Sequence, residues 1–297
     1  MALLNTAASR PSVILLILRH LARQRGKKDE LNRLISTLAP PGLSKEGKHQ
    51  NDLRESLQAA IDLCIVNRTG DEVRLSDQAT GPAAGDQRAM VALLRAAVLS
   101  DSVNTGEWGS QLGARDLTNS LAWYLSFPAS IAPTGMEGNN RSVADLSAAD
   151  FGPRQPADGG GGWPIANDNR WQAFQFWARS LGFAWVAPNG NLVPDPTPVV
   201  RDAIPTVFDK DSDLEANTFV ARLGEVLPVL DNGKYRQFVE SNWRRPKPEQ
   251  VRLSAPLSDA LERLRSEQRI AFSDRDDAPR VTRADGTTFS HVQVLKP

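Results

Sequence analysis

Residues 57–76 read LQAAIDLCIVNRTGDEVRLS. Apolar residues at helical spacing run into Cys64-Ile65-Val66. A tight turn at Arg68-Thr69-Gly70-Asp71 follows, and Glu72-Val73-Arg74-Leu75 alternates as a short strand. A helix therefore passes directly into a small hairpin. Upstream, a first helix is expected from Pro11 to about Arg23, with proline at an early position, and Arg25-Gly26 breaks it. Asp29 to about Leu38 predicts a second helix, because Leu31, Leu34, Ile35 and Leu38 share a face. Pro40-Pro41-Gly42 ends it. A third helix begins near Ser44-Lys45-Glu46 and aligns Leu53, Leu57, Ala60, Ile61 and Cys64. Three helices closed by a hairpin predict a winged helix-turn-helix over residues 1–76, in which the wing covers a core too small to close alone.

The pattern recurs. Leu257, Leu261 and Leu264 repeat the helical spacing, and Gln268 to Phe272 reads as a strand. Asp274 to Pro279 forms a turn, Asp285-Gly286 is a hairpin signal, and Phe289 to Leu295 alternates with period two. This predicts a second winged helix over residues 234–297. Between them, 88–233 is expected to be a helical middle domain. There Trp171, Phe174, Trp177, Ala178 and Leu181 share a face ahead of a strand–turn–strand at 182–193, a candidate further unit of the same kind. The expected fold class is mainly α with small β-hairpins: multiple winged helix-turn-helix units around a helical middle. Residues 76–87 and the Gly159–Gly162 run within 153–164 read as linkers.

The 297 residues suffice for two or three domains of about 100–150 residues each. The net charge is zero by cancellation: residues 1–75 carry +4, residues 76–233 carry −8 and residues 234–297 carry +4. Basic ends suit terminal domains that approach a polyanion. The single cysteine, Cys64, excludes an internal disulfide and a cysteine zinc cage, and suits the cytoplasm. The apolar run Ser12–Leu18 is too short to span a bilayer and continues as a helix through Arg19-His20, so it reads as a buried helix and not as a leader or anchor.

Catalytic patterns fail on inspection. Glu46-Gly47-Lys48 has a nuclease-like spacing with Asp29 upstream, but it opens a helix, where carboxylates do not converge on a metal. Asp209 to Val220 resembles a calcium loop, but Leu214 stands where glycine is needed and Val220 where a glutamate belongs. Ser212 and Glu215 instead fit a capping box for a helix to about Leu227. The glycine run lacks the Gly-Lys-Ser/Thr ending of a phosphate loop. Most of the seven tryptophans are expected in the core. No catalytic residue, metal or cofactor is assigned.

Lys45, Lys48, His49, Gln50, Asn51 and Arg54 gather at the start of the third helix, where a recognition helix meets the major groove. Lys and Arg hold phosphate or guanine there, and Gln and Asn read adenine. Arg244, Arg245 and Lys247 form a second basic loop. A solvated helix face, or a protein-contact surface, is the alternative in both cases.

FQFWARSLGF at Phe174–Phe183, Pro194-Asp195-Pro196-Thr197, VLDNGKYR at Val229–Arg236 and LSAPLS at Leu253–Ser258 together resemble the DpdG-type proteins. These belong to bacterial gene clusters that place 7-deazaguanine derivatives in DNA and restrict unmodified DNA. The resemblance implies an accessory defence component without catalytic residues to carry over. The expectation is a non-enzymatic, cytoplasmic DNA-binding or adaptor subunit of an anti-phage defence or restriction complex, with DNA and other subunits as partners and no membrane. A winged-helix transcription regulator and a protein-binding scaffold without DNA contact are the alternatives.

Overall fold

A computed structural model describes residues 2–5, 9–40, 42, 48–109, 113–138, 141–154, 162–246, 249 and 252–295. In chain order its elements are α1 (Pro11–Arg23), β1 (Lys28–Glu30), α2 (Leu31–Leu38), α3 (Lys48–Asp62), β2 (Val66–Thr69), β3 (Glu72–Leu75), α4 (Asp77–Ala84), α5 (Gln87–Leu99), α6 (Arg115–Tyr124), α7 (Val143–Phe151) and α8 (Asp168–Ser180). There follow β4 (Ala184–Val186), β5 (Leu192–Pro194), α9 (Thr197–Phe208), β6 (Asp213–Glu215), α10 (Ala216–Val226), α11 (Lys234–Glu240), α12 (Ala255–Ser266), β7 (Ile270–Ser273), β8 (Val281–Thr282), β9 (Thr288–Phe289) and β10 (His291–Val294). The chain is mainly α-helical with small antiparallel sheets. It divides into two compact units, residues 1–117 with 167–181 and residues 118–166 with 182–297.

In the first unit, Ile14, Ile17, Leu18 and Leu21 of α1 are buried, as are Leu53, Leu57 and Ala60 of α3, and the two helices pack together. Helix α3 stops at Asp62. Cys64 adopts a left-handed conformation, φ 58°, which turns the chain into β2. The sequence places Cys64 on the apolar face, but this turn rotates it outward, and it is exposed. Leu63 and Ile65 take the buried positions. The hairpin pairs Val66 with Leu75 and Thr69 with Glu72.

Two further expectations do not hold. Asp29 and Glu30 do not begin the second helix. They form β1, which pairs Asp29 with Val73, so the sheet order is β1-β3-β2. Pairing supplies the free edge of β3 with a partner, and the Leu31 amide donates to the Asp71 carbonyl as α2 starts. Residues 76–87 are not a plain linker. They carry α4, whose Ala79 is buried, and Asp86, whose carboxylate accepts from the Ala89 amide at 2.8 Å to cap α5. The Glu46 carboxylate lies outside the described residues, as does most of the glycine run.

The N-terminal segment is anchored in the same unit. Ala2, Leu3 and Leu4 are buried, and the Leu4 amide donates to the Asp116 carboxylate at 2.8 Å. The Leu117 amide donates to its other oxygen at 2.8 Å. Burial pushes Asp116 up from 3.8 to about 6, and these amides together with Arg170 only partly offset it.

In the second unit, α9 packs on α10 and α12, and the sheet order is β6-β10-β7. Ser212–Glu215 is not a capping box. Asp213–Glu215 is β6, pairing with Gln293, Val292 and His291, and Glu215 leads into α10 without a side-chain cap. The expected strand at 289–295 is broken at Ser290, so β9 pairs with β8 while β10 pairs with β6 and β7. The series α9-β6-α10-α12-β7-β10 thus repeats the order, pairing and register of α1-β1-α2-α3-β2-β3. The helix-then-hairpin at 168–194 is divided: α8 counts with the first unit and the two-stranded β4–β5 hairpin with the second. Trp123, Trp171 and Trp177 are buried, as expected of packing groups, whereas Trp185 is exposed.

Two outcomes follow from this packing. Asp116 binds its proton more tightly folded than unfolded, so its contribution to stability is full below pH 3.8 and lost as pH rises through about 6. The span amounts to about 3 kcal/mol. Opening free energies from hydrogen exchange at residues 2–5 and 115–124 should fall between pH 4 and 7, and Asp116→Asn should flatten that fall. Leu261, fully buried, should cost about 2–5 kcal/mol on truncation to Ala. The exposed Asp276→Ala should stay within about 0.5 kcal/mol. Denaturant unfolding of the full chain, followed by exchange at 255–295, checks the pair.

Candidate nucleic-acid interface

Helix α3 is amphipathic because Leu53, Leu57 and Ala60 are buried against α1. Its opposite side is polar. At roughly 100° per residue, Lys48, Asn51, Arg54, Glu55 and Gln58 fall within about a third of a turn, while His49 lies nearly opposite Gln58. Lys48, His49, Asn51 and Arg54 are all exposed and make no hydrogen bond or ion pair with another described residue. Gln58 is bound to Asp62 at 2.8 Å. Gln50 is half-buried and donates to the Ala39 carbonyl at 3.2 Å, which ties α3 to the end of α2. Lys45 lies outside the described residues. Glu55, half-buried, lies on this stripe as well; Asp52 is buried, and Arg10 stands 3.6 Å from it. The described stripe thus presents Lys48 and Arg54 in the first half of the helix.

The sheet adds cations that the sequence does not single out. Lys28, Arg74 and Asn67 are directly paired across β1, β3 and β2, so all three share one face, and all are exposed. Lys28 also meets Glu72 at 2.5 Å. Reading Lys28–Glu30 as the approach to a helix hides this row, because only strand pairing puts residue 28 beside residue 74.

The second basic loop is built differently. Lys247 lies outside the described residues. Arg244 is exposed, with its guanidinium lying where a Cβ on Gly152 would stand, and its backbone amide donates to the Asp150 carbonyl at 2.6 Å. Arg245 is engaged within the fold. Its Nε lies 2.9 Å from the Asp150 carboxylate, and its terminal nitrogen donates to Ser126 Oγ at 2.8 Å. Its guanidinium stacks over Trp243 at 4.0 Å and Phe127 at 4.6 Å. Asp150 also accepts from Trp123 Nε1 at 2.7 Å. Burial lowers the Arg245 pKa to about 10 against the pull of Asp150, so the group remains charged at neutral pH. Burial also raises the Asp150 pKa, opposed by Trp123 and Arg245. Sequence reading takes Arg244, Arg245 and Lys247 as one basic patch, but Arg245 faces its own domain.

Among the described residues no group of three or more His, Cys, Asp or Glu is placed to hold a metal ion, and no helix is long and apolar enough to cross a membrane. A family model described as DpdG-like matches residues 1–278. No curated protein and no solved structure matches the chain.

The two arginines of the second loop should separate on mutation. Arg245→Ala removes the partner of a buried carboxylate and its stacking on two aromatic rings, and should lower stability by about 2 kcal/mol. Arg244→Ala should change it by no more than about 0.5 kcal/mol. Denaturant unfolding of the full chain measures both.

Proposed function

The chain belongs to the DpdG-like family, and from that premise we propose that it is a non-enzymatic DNA-binding or adaptor subunit of a bacterial anti-phage defence or restriction complex. On this reading α1-β1-α2-α3-β2-β3 is a winged helix-turn-helix and α3 is its DNA-facing helix. The observation that carries the reading is the α3 stripe. Lys48, Asn51 and Arg54 point outward from a helix whose other side is fixed by Leu53, Leu57 and Ala60, and neither cation is neutralised by a described residue. A surface cation left unpaired can exchange its counterion for a phosphate, whereas one held in an ion pair must first lose its partner. The adaptor half of the reading rests on the second unit, whose corresponding helix is laced with ion pairs: Arg265 and Arg283 with Glu262, and Arg263 with Asp195. Other subunits of the same system are its proposed partners there.

Binding of a labelled DNA duplex, titrated against salt, tests the reading. Lys48→Ala with Arg54→Ala should weaken binding and reduce the slope of log affinity against log salt by about one for each phosphate no longer neutralised. Binding that is unchanged in both affinity and slope removes α3 from the interface. Salt-independent binding, or none, with stable co-purification of neighbouring gene products, favours the scaffold reading.

A further inference from the structure

The two copies of the fold correspond residue by residue within their matching elements. Leu53, Leu57, Ala60, Cys64 and Val66 stand to Leu257, Leu261, Leu264, Gln268 and Ile270 at one constant offset. The apolar residues are buried in both copies. Cys64 and Gln268 both turn the chain in the left-handed region, at φ 58° and 55°. The strand registers agree as well: Val66↔Leu75 matches Ile270↔Val294, and Asp29↔Val73 matches Leu214↔Val292. Even the bond that starts the second helix is repeated, from the Leu31 amide to the Asp71 carbonyl and from the Ala216 amide to the Ser290 carbonyl.

At the same offset, the α3 stripe Lys48, Arg54 and Gln58 corresponds to Arg252, Ser258 and Glu262. In the first copy the hairpin turns through Gly70 and Asp71 alone. In the second, residues 274–290 intervene between β7 and β10, and they contain β8 and β9. This excursion meets the corresponding face of α12. Arg252 bridges to Thr282, and the Leu253 amide donates to the Thr282 carbonyl at 2.8 Å. Ser258 Oγ accepts the Ala284 amide at 2.9 Å, and Glu262 pairs with Arg283 at 2.5 Å. Arg252 also reaches the Ala284 carbonyl at 3.3 Å. Ser258 is only 6% exposed. The excursion is itself held by buried Val281 and by Phe289, which stacks on Phe272 at 4.6 Å.

We infer that residues 197–294 duplicate the fold of residues 11–75 and that the helix face of this copy is occupied in cis by residues 281–285, so that of the two corresponding faces only that of α3 is offered to an outside ligand. The occupant is named by its bonds. The strap returns a backbone carbonyl to Arg252, just ahead of α12, and a backbone amide and a guanidinium to Ser258 and Glu262 on α12, the positions that correspond to Lys48, Arg54 and Gln58. A nucleic acid approaching α12 meets the strap first, with exposed Asp276 and Asp277 on the same excursion, while Asp274 stands beside Arg280 and Asp285 beside Arg283.

The test uses the full chain with Cys64→Ser, carrying either Ser258→Cys or Ser266→Cys, and a soluble maleimide. Ser266 lies on the same helix and is exposed. The thiol at 258 should react at least about tenfold more slowly than that at 266, as expected of a site that reacts only through local opening. Equal rates overturn the inference. A second measurement leaves the fold intact: Ser258→Ala removes the acceptor of the Ala284 amide, whose hydrogen exchange should accelerate while that of Val292 does not. Unchanged exchange at Ala284 also counts against closure. A third arm rests on the proposed role of α3. Arg252→Ala with Arg263→Ala should alter duplex affinity by less than about twofold where Lys48→Ala with Arg54→Ala weakens it markedly. An equal loss from both pairs overturns the single-face inference. Absence of any duplex binding defeats the DNA reading of α3 and leaves closure to be decided by labelling and exchange.

Discussion

Each unit depends on a strand that leaves the chain ahead of a helix and pairs with a hairpin far downstream. β1 lies on β3, and β6 lies on β10. A hairpin of four-residue strands is marginal alone in water, and a third strand turns it into a sheet with a buried face. In both copies the central strand carries the valine that closes the core, Val73 or Val292, each fully buried. The helix feeding the hairpin is held from two sides, by α1 or α9 and by the sheet, and its orientation follows. That decides which side of α3 faces solvent, and hence where Lys48 and Arg54 point.

The zero net charge conceals an uneven local arrangement. In the second unit, several surface cations are matched: Arg201 to Glu267, Arg222 to Asp211, Arg265 to Glu262 and Arg275 to Asp213. Exposed pairs of this kind add little stability each. Their effect is on the field outside the molecule, because a matched cation attracts a phosphate weakly. The α3 stripe is the contrasting case, with cations that no described residue matches on a well-packed helix. Arg245 is a third kind, a charge retained inside by a carboxylate and two aromatic faces.

Duplication explains why two similar bodies in one chain have different surfaces. The core positions, the left-handed helix terminator and the strand register are the features that a three-helix, three-stranded body cannot alter without losing its packing. The loop between the hairpin strands is free to lengthen, since loop closure grows only slowly more costly with length. In the second copy it lengthens enough to reach back over α12 and bond to it. A segment that turns outward in one copy becomes part of the fold in the other.

What the sequence determined by itself was local. Helical spacing located Leu53–Leu57–Ala60 and Leu257–Leu261–Leu264, and the turn residues at Gly70-Asp71 and Asp285-Gly286 located hairpins, because periodicity and turn chemistry act over a few residues. The polar cluster from Lys48 to Arg54 was legible for the same reason: the helix that orients it is local. The tertiary structure alone decided the rest. Lys28–Glu30 and Asp213–Glu215 are too short to announce themselves as strands, and they are strands because Glu72–Arg74 and His291–Gln293 lie beside them. Cys64 faces outward because one left-handed residue redirects the chain after the helix. Arg245 turns inward because Asp150, Trp243 and Phe127 surround it, and Ser258 is covered because residues 281–285 fold over it. A side chain's partners come from anywhere in the chain, and only the folded arrangement brings them within bonding distance.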